Sequence, residues 1–194
     1  DGNDSLLSAK LKDGDKIDMG AGDDSVSVFL TGSNGTPALG SANISKLDGG
    51  AGTDTLSFEE STPTAGTTLS LTTANATNFE NLTGGSNAET LNGDSNANIL
   101  RGNNGADTLN GNGGNDTLYA TSGNADEDSA NDNLYGGSGN DILFGSKGDN
   151  ILDGGTGADT ITSGIGSDTI VIRSGDGGAT QSDGDTVSDF TDGT

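Results

Sequence analysis

Between residues 136 and 171 an oxygen-bearing side chain recurs every nine residues, as Asp141, Asn150, Asp159 and Asp168. Two places after each comes one branched apolar residue: Leu143, Leu152, Ile161 or Ile170. The residues before each acid are rich in glycine, which permits positive φ and lets main chain approach a ligand closely. Acids at one phase of a short repeat, each behind a glycine turn, are suited to gripping a cation through oxygen. Something must stack them to do so. The triplet centred on the apolar residue is a minimal strand with one side chain turned inward. Each unit therefore reads as a turn followed by a short strand, and such a unit cannot bury its apolar face alone. Stacked units form a parallel solenoid with a thin core, its acids about 4.8 Å apart along the turns. Like charges at that spacing repel unless a cation sits between them.

Three units, at 49–57, 136–144 and 154–162, fit Gly-Gly-x-Gly-x-Asp-x-(Leu/Ile)-x at every defined position. On these residues the chain resembles the RTX, or haemolysin-type calcium-binding, repeat family, whose nonapeptides wind into a parallel β-roll. The resemblance implies an all-β fold, a right-handed β-solenoid with calcium in the stacked turns. It also implies an extracellular bacterial protein exported by type I secretion.

Composition is consistent with this. Leu, Ile, Val and Phe make up 35 of 194 residues, and the formal charge is −23. A chain so poor in apolar residues and so charged is expected to stay disordered without a partner. Each Ca²⁺ adds two positive charges, so roughly eight to ten ions would cancel most of the surplus. With only seven Lys and Arg the chain is a poor ligand for nucleic acid or anionic lipid. It has no cysteine, which suits a secreted protein held by metal in place of disulfides. No apolar run approaches the ~20 residues of a membrane span, and no signal peptide is visible. The opening Asp1-Gly2-Asn3-Asp4-Ser5-Leu6-Leu7 reads as a repeat without its first two positions, and so as a piece of a larger parent chain.

Four regions are expected. Residues 1–57 form a first roll block, with units at 10–18, 19–27 and 49–57 and a loop inserted at 28–42. Residues 58–83 hold no nonapeptide, and their apolar residues read as extra solenoid strands stacked without calcium. Their closing string, Asn78-Phe79-Glu80-Asn81-Leu82-Thr83, is similar to segments that precede RTX repeat blocks. Residues 84–171 form the main block, with an insertion at 120–130. Residues 172–194 close the roll, and Phe190 is expected to cover the end of the core.

In the family's roll two nonapeptides make one turn, so unit n stacks on unit n+2 and calcium lies between. Carried over, one edge runs Asn98, Asp116, Asp141, Asp159, and the other runs Glu89, Asp107, Asp132, Asn150, Asp168. Asp15, Asp24 and Asp54 hold the same phase in the first block, and Asp185 and Asp189 lie in the closing segment. The glycines whose carbonyls would share the ions are Gly20, Gly22, Gly49, Gly52, Gly102, Gly105, Gly111, Gly136, Gly139, Gly154 and Gly157. Oxygen-only ligation in a flexible turn suits Ca²⁺ better than the stricter Mg²⁺. Without His or Cys, zinc and copper are poorly served. Asn98 and Asn150 offer an uncharged oxygen and should make weaker sites, and Glu89 adds a methylene that misplaces its oxygens. The pairs Asp116–Asp141 and Asp141–Asp159 should be the best formed. The insertion Asn124-Ala125-Asp126-Glu127-Asp128 spaces oxygens like the start of an EF-hand loop. Ser129 and Tyr135 stand where glycine and glutamate belong, so it reads as a solvated acidic loop.

The leading functional expectation is a calcium-binding structural module of a surface-layer or adhesin protein, able to self-associate or to meet cell-surface polysaccharide. The alternatives are a C-terminal appendage of an exported hydrolase or toxin, or a carbohydrate-binding module. Catalysis is not expected. The usual bases and nucleophiles are missing, and the carboxylate pairs a glycosidase would need are accounted for by the repeat phase. An ice-binding row of Thr108, Thr117, Thr160 and Thr169 is interrupted by Asn133, Ile142 and Ile151.

Overall fold

A computed structural model describes residues 1–9, 16–30, 46–60, 67–71, 76–122, 129–173 and 184–189. No helix occurs among the described residues, and every strand pairing is parallel. The longest sheet has nine strands. In order they are β1 (Ser5–Ala9), β3 (Ser25–Leu30), β5 (Thr55–Glu60), β8 (Asn81–Thr83), β10 (Ile99–Arg101), β12 (Thr117–Tyr119), β14 (Ile142–Phe144), β16 (Thr160–Thr162) and β18 (Thr186–Val187). The strands between these fall into two further sheets. Six form one, ordered β17 (Thr169–Val171), β15 (Ile151–Thr156), β13 (Asn133–Ser138), β11 (Thr108–Gly113), β9 (Glu89–Asn92) and β6 (Thr67–Ser70). Three form the other: β2 (Lys16–Asp18), β4 (Lys46–Asp48) and β7 (Ala76–Thr77). From β8 onward, successive strands alternate between the nine-stranded and six-stranded sheets, so each unit stacks on the unit two ahead.

The registers place the apolar residue of every unit over its counterpart. Leu100 lies between Leu82 and Leu118, and Leu143 lies between Leu118 and Ile161. In the six-stranded sheet Leu91, Leu109, Leu134 and Leu152 are likewise in line. All of these side chains are fully buried and belong to one core cluster. Complete burial of such a side chain contributes about 2 kcal/mol. One inward residue per short strand makes a thin core, so the turns must supply the rest of the cohesion.

Two elements extend beyond the nine-residue unit. β3 continues through Val28, Phe29 and Leu30, the first residues of the segment read from sequence as an inserted loop. Val28 keeps the inward alternation of Val26 and pairs with Phe58 of β5, and both are buried. The described residues of the 58–83 stretch are woven into the sheets, with β6 paired to β9, β7 to β4, and β8 between β5 and β10. Leu71, Phe79 and Leu82 from this stretch are buried in the core. Asp15, most of the 28–42 segment, the acidic run 124–128 and Phe190 lie outside the described residues.

Candidate metal centre

Each turn hands its acid to the turn before it. The main-chain N–H of Asp116 donates to Asp141 Oδ1 at 2.7 Å, and the N–H of Asp141 donates to Asp159 Oδ1 at 2.8 Å. The row continues both ways along the nine-stranded sheet, from Asn98 N–H to Asp116 at 2.8 Å and from Asp159 N–H to Asp185 at 3.1 Å. Nearer the N-terminus Asp4 N–H donates to Asp24, Asp24 N–H to Asp54, and Asp54 N–H to Glu80 Oε2. A second row follows the six-stranded sheet. There the N–H groups of Glu89, Asp107, Asp132 and Asn150 donate in turn to Asp107, Asp132, Asn150 and Asp168 at 2.7–2.9 Å. The residues of each edge expected from the repeat phase therefore lie in line. Asp189 sits apart, accepting from Ser163 and Gly164 at the far end of the nine-stranded sheet.

These bonds use one oxygen of each carboxylate. The second oxygen, Oδ2, is buried without a hydrogen-bond partner in Asp24, Asp54, Asp116 and Asp141. The turn glycines explain how it fits. A Cβ at Gly136 would strike Asp141 Oδ2 and the Gly154 carbonyl oxygen, and one at Gly111 would strike Asp116 Oδ2 and the Gly136 carbonyl oxygen. Gly49, Gly102 and Gly154 stand against Asp54, Asp107 and Asp159 in the same way. Gly139, at φ +132°, lies over the carbonyl of Gly114, and Gly157, Gly52 and Gly105 lie similarly over Gly139, Gly22 and Asn87. Gly20 lies beneath Gly50. Buried acceptors thus gather at the turns of Asp116 and Asp141: a carboxylate oxygen with no donor and a carbonyl oxygen of the stacked turn. Orphaned oxygens of this kind cost about 1–3 kcal/mol each, more when charged. A hard cation with oxygen ligands relieves that cost, and the residues present suit Ca²⁺.

The electrostatics agree. Burial pushes the Asp141 carboxyl up to about 7 and that of Asp116 to about 6, against the N–H bond each accepts. The charges of Asp116 and Asp159 push Asp141 further in the same direction. Asp54 is also raised, chiefly by burial. A buried acid that resists ionisation becomes a good ligand once a cation arrives.

The amide and glutamate rungs differ in detail. Glu89 Oε2 accepts from Gly85 in its own turn at 3.1 Å. Asn98 Oδ1 accepts from Asp94 N–H at 2.8 Å, and its Nδ2 donates to the Glu80 carbonyl. Glu80 was not among the expected ligands, although Glu80-Asn81-Leu82-Thr83 has the phase of acid-x-Leu-x and only the glycine turn is missing. Also unforeseen is an outer row at the fifth repeat position. There Asp23, Asn140 and Asp149 N–H groups donate to the side chains of Asn3, Asn115 and Asn131. At the seventh position Ile99, Thr117, Ile142 and Thr160 adjoin in one sheet and Thr108, Asn133, Ile151 and Thr169 in the other, so neither has an unbroken threonine row.

A family model for the RTX calcium-binding nonapeptide repeat, in four copies, matches residues 39–60, 83–118, 92–125, 128–161, 135–170 and 144–178. These overlapping windows cover more than half of the chain. No curated protein and no solved structure matches it.

Proposed function

The chain belongs to the RTX calcium-binding nonapeptide-repeat family, and from that premise we propose that it is a Ca²⁺-dependent structural module of an extracellular bacterial protein. The parent is exported by type I secretion and is of the surface-layer or adhesin kind. The supporting observation is the set of buried Oδ2 atoms of Asp24, Asp54, Asp116 and Asp141, none with a hydrogen-bond partner. Every ladder hydrogen bond described above comes from a main-chain amide of a stacked turn, which supports cohesion in preference to catalysis. No helix among the described residues is long and apolar enough to cross a membrane.

With the ions absent, carboxylate repulsion and a thin core leave the chain open, so binding energy becomes folding energy. Circular dichroism during a Ca²⁺ titration should show a cooperative change from coil to β at millimolar Ca²⁺ or below. A chain already fully β in EDTA would overturn the reading. Ordered sheets or filaments on adding Ca²⁺ to the purified chain would support the surface-layer role, and a strictly monomeric folded chain would favour an appendage of an exported enzyme.

A further inference from the structure

The turn that ends in Asn150 is built differently from those around it. Asn150 is buried, and its Oδ1 accepts the Asp132 N–H at 2.8 Å, as Asp159 Oδ1 accepts that of Asp141. Its Nδ2 faces back into its own turn. There it donates to the carbonyl oxygens of Gly145 at 2.9 Å, Gly148 at 3.1 Å and Lys147 at 3.3 Å. Three carbonyls of one turn thus gather on a single nitrogen.

The comparison with Asp141 is direct. Gly145 opens the turn of Asn150 as Gly136 opens that of Asp141, and in both the side chain's second polar atom lies against that glycine. At Asp141 this atom is an oxygen, buried and without a donor. At Asn150 it is an NH₂ group whose two donors are shared among the three carbonyls. Carbonyls and a carboxylate oxygen form a set of acceptors that a cation completes. Carbonyls around an amide nitrogen are complete already, and a cation there would meet hydrogens in place of lone pairs. Asn98, the other amide at this phase, is turned the opposite way. It presents Oδ1 to its own turn and Nδ2 to the Glu80 carbonyl, so the effect belongs to the 145–150 turn and not to asparagine as such.

We infer that Asn150 takes the place of a calcium ion, so that its turn closes without metal and leaves one metal-independent rung between Asp132 and Asp168. The inference rests on the ladders being calcium sites. Where the family resemblance alone suggests a weak site at Asn150, the geometry assigns none. Within the wound roll this turn therefore has its carbonyls satisfied by the chain's own amide.

The test counts bound ions on the full chain at saturating Ca²⁺ by equilibrium dialysis with radioactive calcium, with circular dichroism confirming β content. Asn150→Asp should bind one ion more than the wild type, and Asn150→Ala should bind no fewer. A folded Asn150→Asp chain with an unchanged count, or an Asn150→Ala chain that loses an ion, overturns the inference. Should Asn150→Asp fail to fold, Asp141→Asn decides the matter. One ion fewer with β content kept supports the inference, and an unchanged count overturns it. A wild-type chain that binds no Ca²⁺ sinks the reading of the ladders itself, a result separable from every outcome above.

Discussion

The two faces of the roll are built from the same repeat yet differ in continuity. The nine-stranded face runs from β1 to β18 without a break, and its acids are linked from Asp4 to Glu80 and again from Asn98 to Asp185. The other face is divided into sheets of three and six strands, and its acid row starts afresh at Glu89. The division falls at the repeat-free stretch, which gives β7 to one sheet and β6 to the other. On the continuous face the same stretch supplies β8 in phase, with Glu80 in an acid's place. A segment without a nonapeptide unit can therefore splice two roll blocks on one face while parting them on the other. The splice depends on Leu82 and Glu80.

Leu82→Ala should have the largest effect on this difference, since it opens a cavity in the face whose sheet, among the described residues, runs through both blocks. Truncating a fully buried leucine costs about 2–5 kcal/mol. Urea unfolding with Ca²⁺ present should then resolve into two transitions, whereas Leu152→Ala, in the six-stranded sheet, should lower stability without separating them. A single sharp transition in Leu82→Ala would mean the blocks are joined elsewhere. Next in size is Glu80→Ala, which leaves the Asp54 N–H without its partner and should cost about 1–2 kcal/mol. Glu80→Gln, which keeps an acceptor, should recover most of that.

Protons should act oppositely on the apo and the calcium-loaded roll. Asp141 and Asp116 are raised to about 7 and about 6, above the ~3.9 of a free aspartate. The wound chain thus holds more protons than the open chain between pH 4 and 7, and its metal-free stability falls as pH rises through that window. In EDTA, acidification from pH 7 toward 4 should increase β signal. With calcium present, protons compete for the same oxygens, so the Ca²⁺ midpoint should rise as pH falls below 7. A midpoint independent of pH would contradict the burial of these acids. The smallest effect expected is on the outer surface. Arg101 lies 4.1 Å from the Tyr119 ring centre, and Tyr119 stacks on Phe144 at 4.9 Å. The matching row of the other face instead joins Asn110 to Asn92. Arg101→Ala should cost about 0.5–1 kcal/mol in thermal melts, and Asn110→Ala no more than that.

What the sequence disclosed was whatever repeats locally. The phase of Asp116, Asp141 and Asp159, and the inward leucines two places on, are set within nine residues, so spacing alone ordered them. Pairings that join distant residues were not legible. Nothing local tells Thr68 to lie beside Thr90, or Ala76 beside Leu47. Glu80 escaped because a search keyed to glycine turns passes over an acid whose turn has none. The orientation of Asn150 escaped for another reason, since spacing fixes which residue stands at a rung but not which end of its amide faces the turn.

The insertion at 120–130, which makes the unit 120–135 seven residues longer than nine, gives this construction a practical meaning. Asp107 and Asp132 meet across 25 residues, where Asp141 and Asp159 meet across 18, yet the hydrogen bonds are equally short. Because doubling an excursion adds only about 0.6 kcal/mol of closure entropy, the joint between Ser122 and Ser129 is a natural port for foreign sequence. On the function proposed above, peptides grafted there would be carried by a scaffold that folds on addition of calcium and opens in a chelator.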